Sequence, residues 1–80
     1  MTLKEAIIQR ILNLCDERGL TINKLSTVCG MTQSTINNIV NGRNKSTTTS
    51  TVKKICDGLN ITIADFFNDP LFRDLEQEIK

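Results

Sequence analysis

A glycine at position 30, followed by Met31 and Thr32, separates two short runs whose apolar residues recur at helical spacing. The first run opens at Thr21, with Leu20 and Leu25 at the two positions of a hydrophobic staple, and closes at Cys29. The second is capped by Thr32, repeats the staple with Met31 and Ile36, and ends at Asn41-Gly42. Glycine can take the left-handed conformation that closes a helix, so Gly30 reads as the turn between two helices. Ile36, Ile39 and Val40 mark one face of the second helix. Gln33, Ser34, Asn37, Asn38 and Asn41 mark the other, an outer face of amides and hydroxyls without a single charge.

The flanking segments read the same way. Thr2-Leu3-Lys4-Glu5 fits a capping box, and Leu3, Ile7, Ile11, Leu14 and Cys15 carry helix 1 to about Arg18, where Gly19 stops it. Ile8 and Leu12 add a second apolar stripe that needs a cover. Arg43 to Thr51 is a polar loop whose hydroxyls offer several N-caps for helix 4. That helix has Val52, Ile55 and Cys56 inward, reaches about Asp57, and is stopped by Gly58 and Asn60. Thr62 caps helix 5, with Ile63, Phe66 and Phe67 expected inside. Asp69-Pro70 reads as N-cap and N1 of a last helix striped by Leu71, Phe72, Leu75 and Ile79. Eighty residues are one small domain. The expected fold is all-α and compact, with five to six helices: a core over 1–68, and a C-terminal helix over 69–80 for packing or dimerisation.

Charge is unevenly distributed. The net charge is only +1, yet between Arg18 and Cys56 lie six basic residues and no acidic one: Arg18, Lys24, Arg43, Lys45, Lys53 and Lys54. Asp57, Asp65, Asp69, Asp74, Glu76 and Glu78 follow, against Arg73 and Lys80. Segregation of this kind orients a molecule on a polyanion even near neutrality. The three cysteines are widely spaced and histidine is absent, so the usual four ligands of a zinc site are lacking and buried free thiols are expected. No metal or cofactor is implied. No apolar run approaches the ~20 residues that span a bilayer, and a cytoplasmic protein without a membrane partner is the default. Nothing in the chain assembles the side chains of an enzyme.

The stretch Leu20 to Gly42 resembles the helix-turn-helix of phage-repressor and Cro-like (XRE-like, lambda-repressor-like) regulators, and the resemblance extends over about residues 3–68. It is carried by Gly19-Leu20-Thr21, Leu25-Ser26, Gly30-Met31-Thr32, Ile36 and Ile39, Asn41-Gly42, Val52-Lys53-Lys54-Ile55-Cys56, and Ile61-Thr62-Ile63-Ala64-Asp65-Phe66-Phe67. Many relatives have an Arg at the position of Cys15 and a Glu at that of Val40, forming a buried pair. Here both are apolar and are expected to touch.

The resemblance implies a helix 3 that enters the major groove, with Gln33 and Ser34 at base edges and Asn37 and Asn38 one turn on. A Gln amide can read the N6 and N7 of adenine. No Arg or Lys stands on helix 3, so half-sites rich in A·T are expected. Thr21, Thr32, Thr35, Asn41 and the loop Arg43-Asn44-Lys45 are the expected phosphate contacts. The implied function is sequence-specific binding of double-stranded DNA as a homodimer, with repression as its consequence. The alternative is a protein-interaction module, such as the antitoxin of a toxin pair. The last helix either folds back on helix 1 or pairs subunits.

Overall fold

A computed structural model describes residues 1–43 and 47–79. Five α-helices follow in order: α1 (Leu3–Glu17), α2 (Ile22–Cys29), α3 (Gln33–Val40), α4 (Thr49–Leu59) and α5 (Ile63–Phe67), then a 3-10 turn at Pro70–Phe72. Each α-helix begins with a threonine N-cap in extended conformation whose hydroxyl accepts the backbone N–H three residues on. At α1 the box closes: Thr2 Oγ1 accepts from the Glu5 amide at 3.1 Å, and the Glu5 carboxylate accepts from the Thr2 amide at 2.8 Å. These bonds hold the Glu5 carboxyl below its usual range. Thr62 and Asp65 close the same box at α5. At α2 Lys24 stands where a carboxylate would be required, and only the Thr21 half forms.

One core joins all five helices: Ile7, Ile11, Leu14 and Cys15 from α1, Leu25 and Cys29 from α2, Ile36 and Ile39 from α3, Val52, Ile55, Cys56 and Leu59 from α4, and Phe66 from α5. Val40 packs half-buried against this cluster, which includes Cys15. Phe66, Phe67 and Phe72 meet with ring centroids 4.9 to 6.1 Å apart, so the three aromatics fasten α5 to the 3-10 turn.

Three expectations need correction. Gly58 does not stop α4, which runs on to Leu59 and ends at Asn60 in the left-handed conformation. Gly58 is instead where α2 crosses: a Cβ there would stand 2.7 Å from Cys29 Sγ and 2.9 Å from the Val28 carbonyl oxygen. Ile63 is 42% exposed, because Phe66 and Phe67 take the inward positions of the short α5 and leave its first residue to solvent. Finally, no α-helix follows Asp69 among the described residues. Asp69 caps Pro70 as expected, with its carboxylate accepting from the Leu71 amide at 3.0 Å, but only one 3-10 turn forms. A short run is a marginal helix on its own, and Asp74, Glu76 and Glu78 would crowd acids toward its C-terminal end, against the helix dipole. The chain crosses the start of α1 instead: the Glu76 amide donates to the Met1 carbonyl at 3.1 Å, and the Glu76 carboxylate meets the N-terminal ammonium at 3.4 Å. Leu71, Phe72 and Leu75 are half-buried, and Ile79 is exposed.

Candidate nucleic-acid interface

The turn between α2 and α3 is built from hydrogen bonds local to it. Gly30 adopts φ 66°, ψ 31°, and its amide donates to the carbonyls of Ser26 and Thr27. The Met31 amide donates to Ser26 at 3.0 Å, which completes a Schellman closure. Thr32 is then extended and caps α3, its hydroxyl accepting from the Thr35 amide at 3.2 Å. Ser26 is the small residue that lets the pair close. It is buried, and its hydroxyl donates to the Asn23 carbonyl at 2.6 Å.

This turn presents α3 with Ile36 and Ile39 buried and Gln33, Ser34, Asn37 and Asn41 exposed, while Asn38 is half-buried. At 3.6 residues per turn those five polar residues occupy an arc of about 140°. None of their side chains hydrogen-bonds another described residue. The contrast with α1 is instructive, since there the exposed amides of Gln9 and Asn13 satisfy each other at 2.8 Å. Among the described residues, then, the donors and acceptors on the polar face of α3 are unpaired with one another and with the rest of the fold.

Around that face, Thr21 and Thr32 stand exposed at the N-termini of α2 and α3. Thr35 is exposed too, but its hydroxyl is 2.8 Å from that of Thr32, so only one of the two protons remains for an outside acceptor. Arg43 is exposed just past α3. Asn44 and Lys45 lie outside the described residues. Arg18, Lys24 and Lys54 are exposed, whereas Lys53 pairs with Asp57 along α4 and contributes less to an external field.

Two basic residues gained roles that spacing did not signal. Lys4 on α1 donates to the Gly42 carbonyl at 2.7 Å, bringing a cation to the exit of α3. Arg10 ties α1 to the end of α5 through the Asp65 and Phe66 carbonyls. Their partners lie dozens of residues away, beyond the reach of any periodicity.

The thiols of Cys15, Cys29 and Cys56 are buried and free. Burial, reinforced by its two neighbouring cysteines, pushes the Cys29 thiol up to about 11. No group of three or more candidate ligands gathers among the described residues in a way that could hold a metal. No helix there is long and apolar enough to cross a membrane.

A family model described as a Cro/C1-type HTH DNA-binding domain matches residues 10–70. The chain belongs to the Cro/C1-type helix-turn-helix family. A solved structure agrees: the chain is similar to prophage Lp1 protein 11, with a TM-score of 0.80 and 35% sequence identity, over 94% of this chain and 99% of that one. No curated protein matches the sequence. The Cro/C1-type assignment supports DNA binding by this domain, whose α2 and α3 form a helix-turn-helix about Gly30.

Proposed function

We propose that this Cro/C1-type domain is a transcriptional repressor that binds an operator of two half-sites as a homodimer, with α3 of each subunit in the major groove. One observation carries the reading: the outer face of α3 is uncharged, rich in amides, exposed and without hydrogen-bond partners among the described residues. A surface evolved only for solvation would carry charges or paired amides, as α1 and α4 do.

In this reading Gln33 and Ser34, at the N-terminal end of α3, meet base edges, and Asn37 and Asn38 extend the contact by a turn. Thr21, Thr32 or Thr35, Asn41 and the loop Arg43-Asn44-Lys45 grip phosphates and set the register. With no guanine-reading Arg or Lys on α3, the half-sites lean to A·T. One helix reads too few base pairs to define an address, so two subunits act on half-sites about one helical turn apart. Occupying such a site across a promoter excludes polymerase, which gives repression.

In vitro selection of duplexes bound by the purified protein tests site, spacing and symmetry together. The expected product is an inverted repeat rich in A·T with half-site centres about 10 base pairs apart. Recovery of unenriched sequence, or of a single unrepeated site, would contradict the proposal.

A further inference from the structure

The peptide unit joining Gly42 to Arg43 is held from both ends. Its N–H donates to the Asn38 carbonyl at 3.0 Å, closing α3. Its C=O accepts from Lys4 Nζ at 2.7 Å, across 38 residues of sequence. A peptide is planar, so bonds at both ends fix the direction in which Arg43 leaves α3. The left-handed turn at Gly42, φ 72°, makes that plane reachable from α1. Beneath it, Ile8 Cδ1 and Lys4 Cε lie 3.9 and 4.0 Å from where a Cβ on Gly42 would stand. The last turn of α3 has no basic residue of its own, and the Lys4 ammonium supplies a cation at its carbonyl end from another helix. Among the described residues that ammonium has no carboxylate partner.

We propose that Lys4 is a positioning residue for DNA binding: by gripping the Gly42 carbonyl it aims Arg43 at the phosphate backbone. The assignment rests on the DNA-binding reading of α3 and its flanks. It adds a residue from α1, distant in sequence from the basic segment, that acts through Arg43 without touching DNA itself. A charge-assisted bond to a carbonyl is stronger than a neutral one, and only a long cationic side chain on the first turn of α1 provides it here.

The test is a double-mutant cycle between Lys4→Met and Arg43→Ala, read as affinity for a duplex that the wild-type protein binds. Lys4→Met is expected to weaken binding about fivefold with helical content retained, and Arg43→Ala should lose most of its effect in the Lys4→Met background. Lys4→Gln, too short to reach the carbonyl, should match Lys4→Met, and Lys4→Arg should restore binding. Unchanged binding by both Lys4→Met and Lys4→Gln would overturn the assignment. So would strictly additive losses with Arg43→Ala, which is the result for a purely structural lysine or for one making its own phosphate contact. If wild-type protein binds no duplex at all, the DNA-binding reading itself falls and takes this assignment with it.

Discussion

Arg10 uses all three of its guanidinium nitrogens on three residues of one short segment, Asp65, Phe66 and Asp69. Nε donates to the Phe66 carbonyl at 2.8 Å, one terminal nitrogen to the Asp65 carbonyl at 2.9 Å, and the other meets the Asp69 carboxylate at 3.2 Å. The side chain is only 11% exposed, so its removal takes the guanidinium from the Phe66 carbonyl and leaves the Asp65 carbonyl and the Asp69 carboxylate with only the Asn68 and Leu71 amides. Arg10→Met is expected to lower unfolding stability by about 3 kcal/mol, and Arg10→Lys to recover only part, since an ammonium lacks the planar fork. An unchanged urea midpoint for Arg10→Met would refute the role. Cys29 makes a second prediction at this scale. Its folded value of about 11 exceeds the 9.0 of an unburied thiol. Below pH 9 the thiol is neutral in both states and its contribution is intact; above it the unfolded chain ionises first, and stability falls until about pH 11. Thermal midpoints should therefore drop across that window, and less steeply in Cys29→Ala. Neither residue was legible in this role. The carbonyl partners of Arg10 lie 55 and 56 residues along the chain, and the proximity of Cys29 to the other thiols is a product of packing.

Helix starts were legible because each cap is a local hydrogen bond between residues three apart: Thr2, Thr21, Thr32 and Thr62 cap as their spacing suggests, and Thr48 is the one of several candidate hydroxyls that caps α4. Helix ends were less so. Gly58 looked like a stop because glycine is a poor helix former, yet its lack of a side chain serves the crossing of α2 over α4. Gly58→Ala gains helix propensity, but two of the atoms a Cβ would meet are backbone, Val28 O and Cys29 Cα at 2.9 and 3.0 Å, so the helices must part. A net loss of about 1 to 3 kcal/mol is expected, and adding Cys29→Ala should not fully restore it, because the Val28 carbonyl still blocks. A more stable Gly58→Ala protein would contradict this packing. The segment after Asp69 misled for another reason. Its apolar spacing suits a helix, but the residues half-buried there belong to the 3-10 turn and to a strap across α1, whose bonds to Met1 no local pattern could show.

Across the whole molecule, the segregation of charge and the uncharged face of α3 are two properties with separate physical consequences. In the proposed reading, cations flanking α3 attract any duplex and make binding salt-dependent; Arg43→Ala should weaken all DNA alike and reduce the salt slope by about one unit. In the same proposed reading the amide face adds discrimination among base pairs. The fold class and the placement of that face were legible because helical periodicity alone separates Ile36 and Ile39 from Gln33 and Asn37. The cation at the exit of α3 was not, because Lys4 reaches it only through the fold. The most direct measurement compares wild type with Gln33→Ala on the selected operator and on a scrambled duplex over a range of salt. The expected result is a loss of about 1 to 3 kcal/mol on the operator, none on the scrambled duplex, and parallel salt slopes. Equal affinity of the two proteins for the operator, or an equal loss on both duplexes, would contradict a recognition helix that reads bases through its amides.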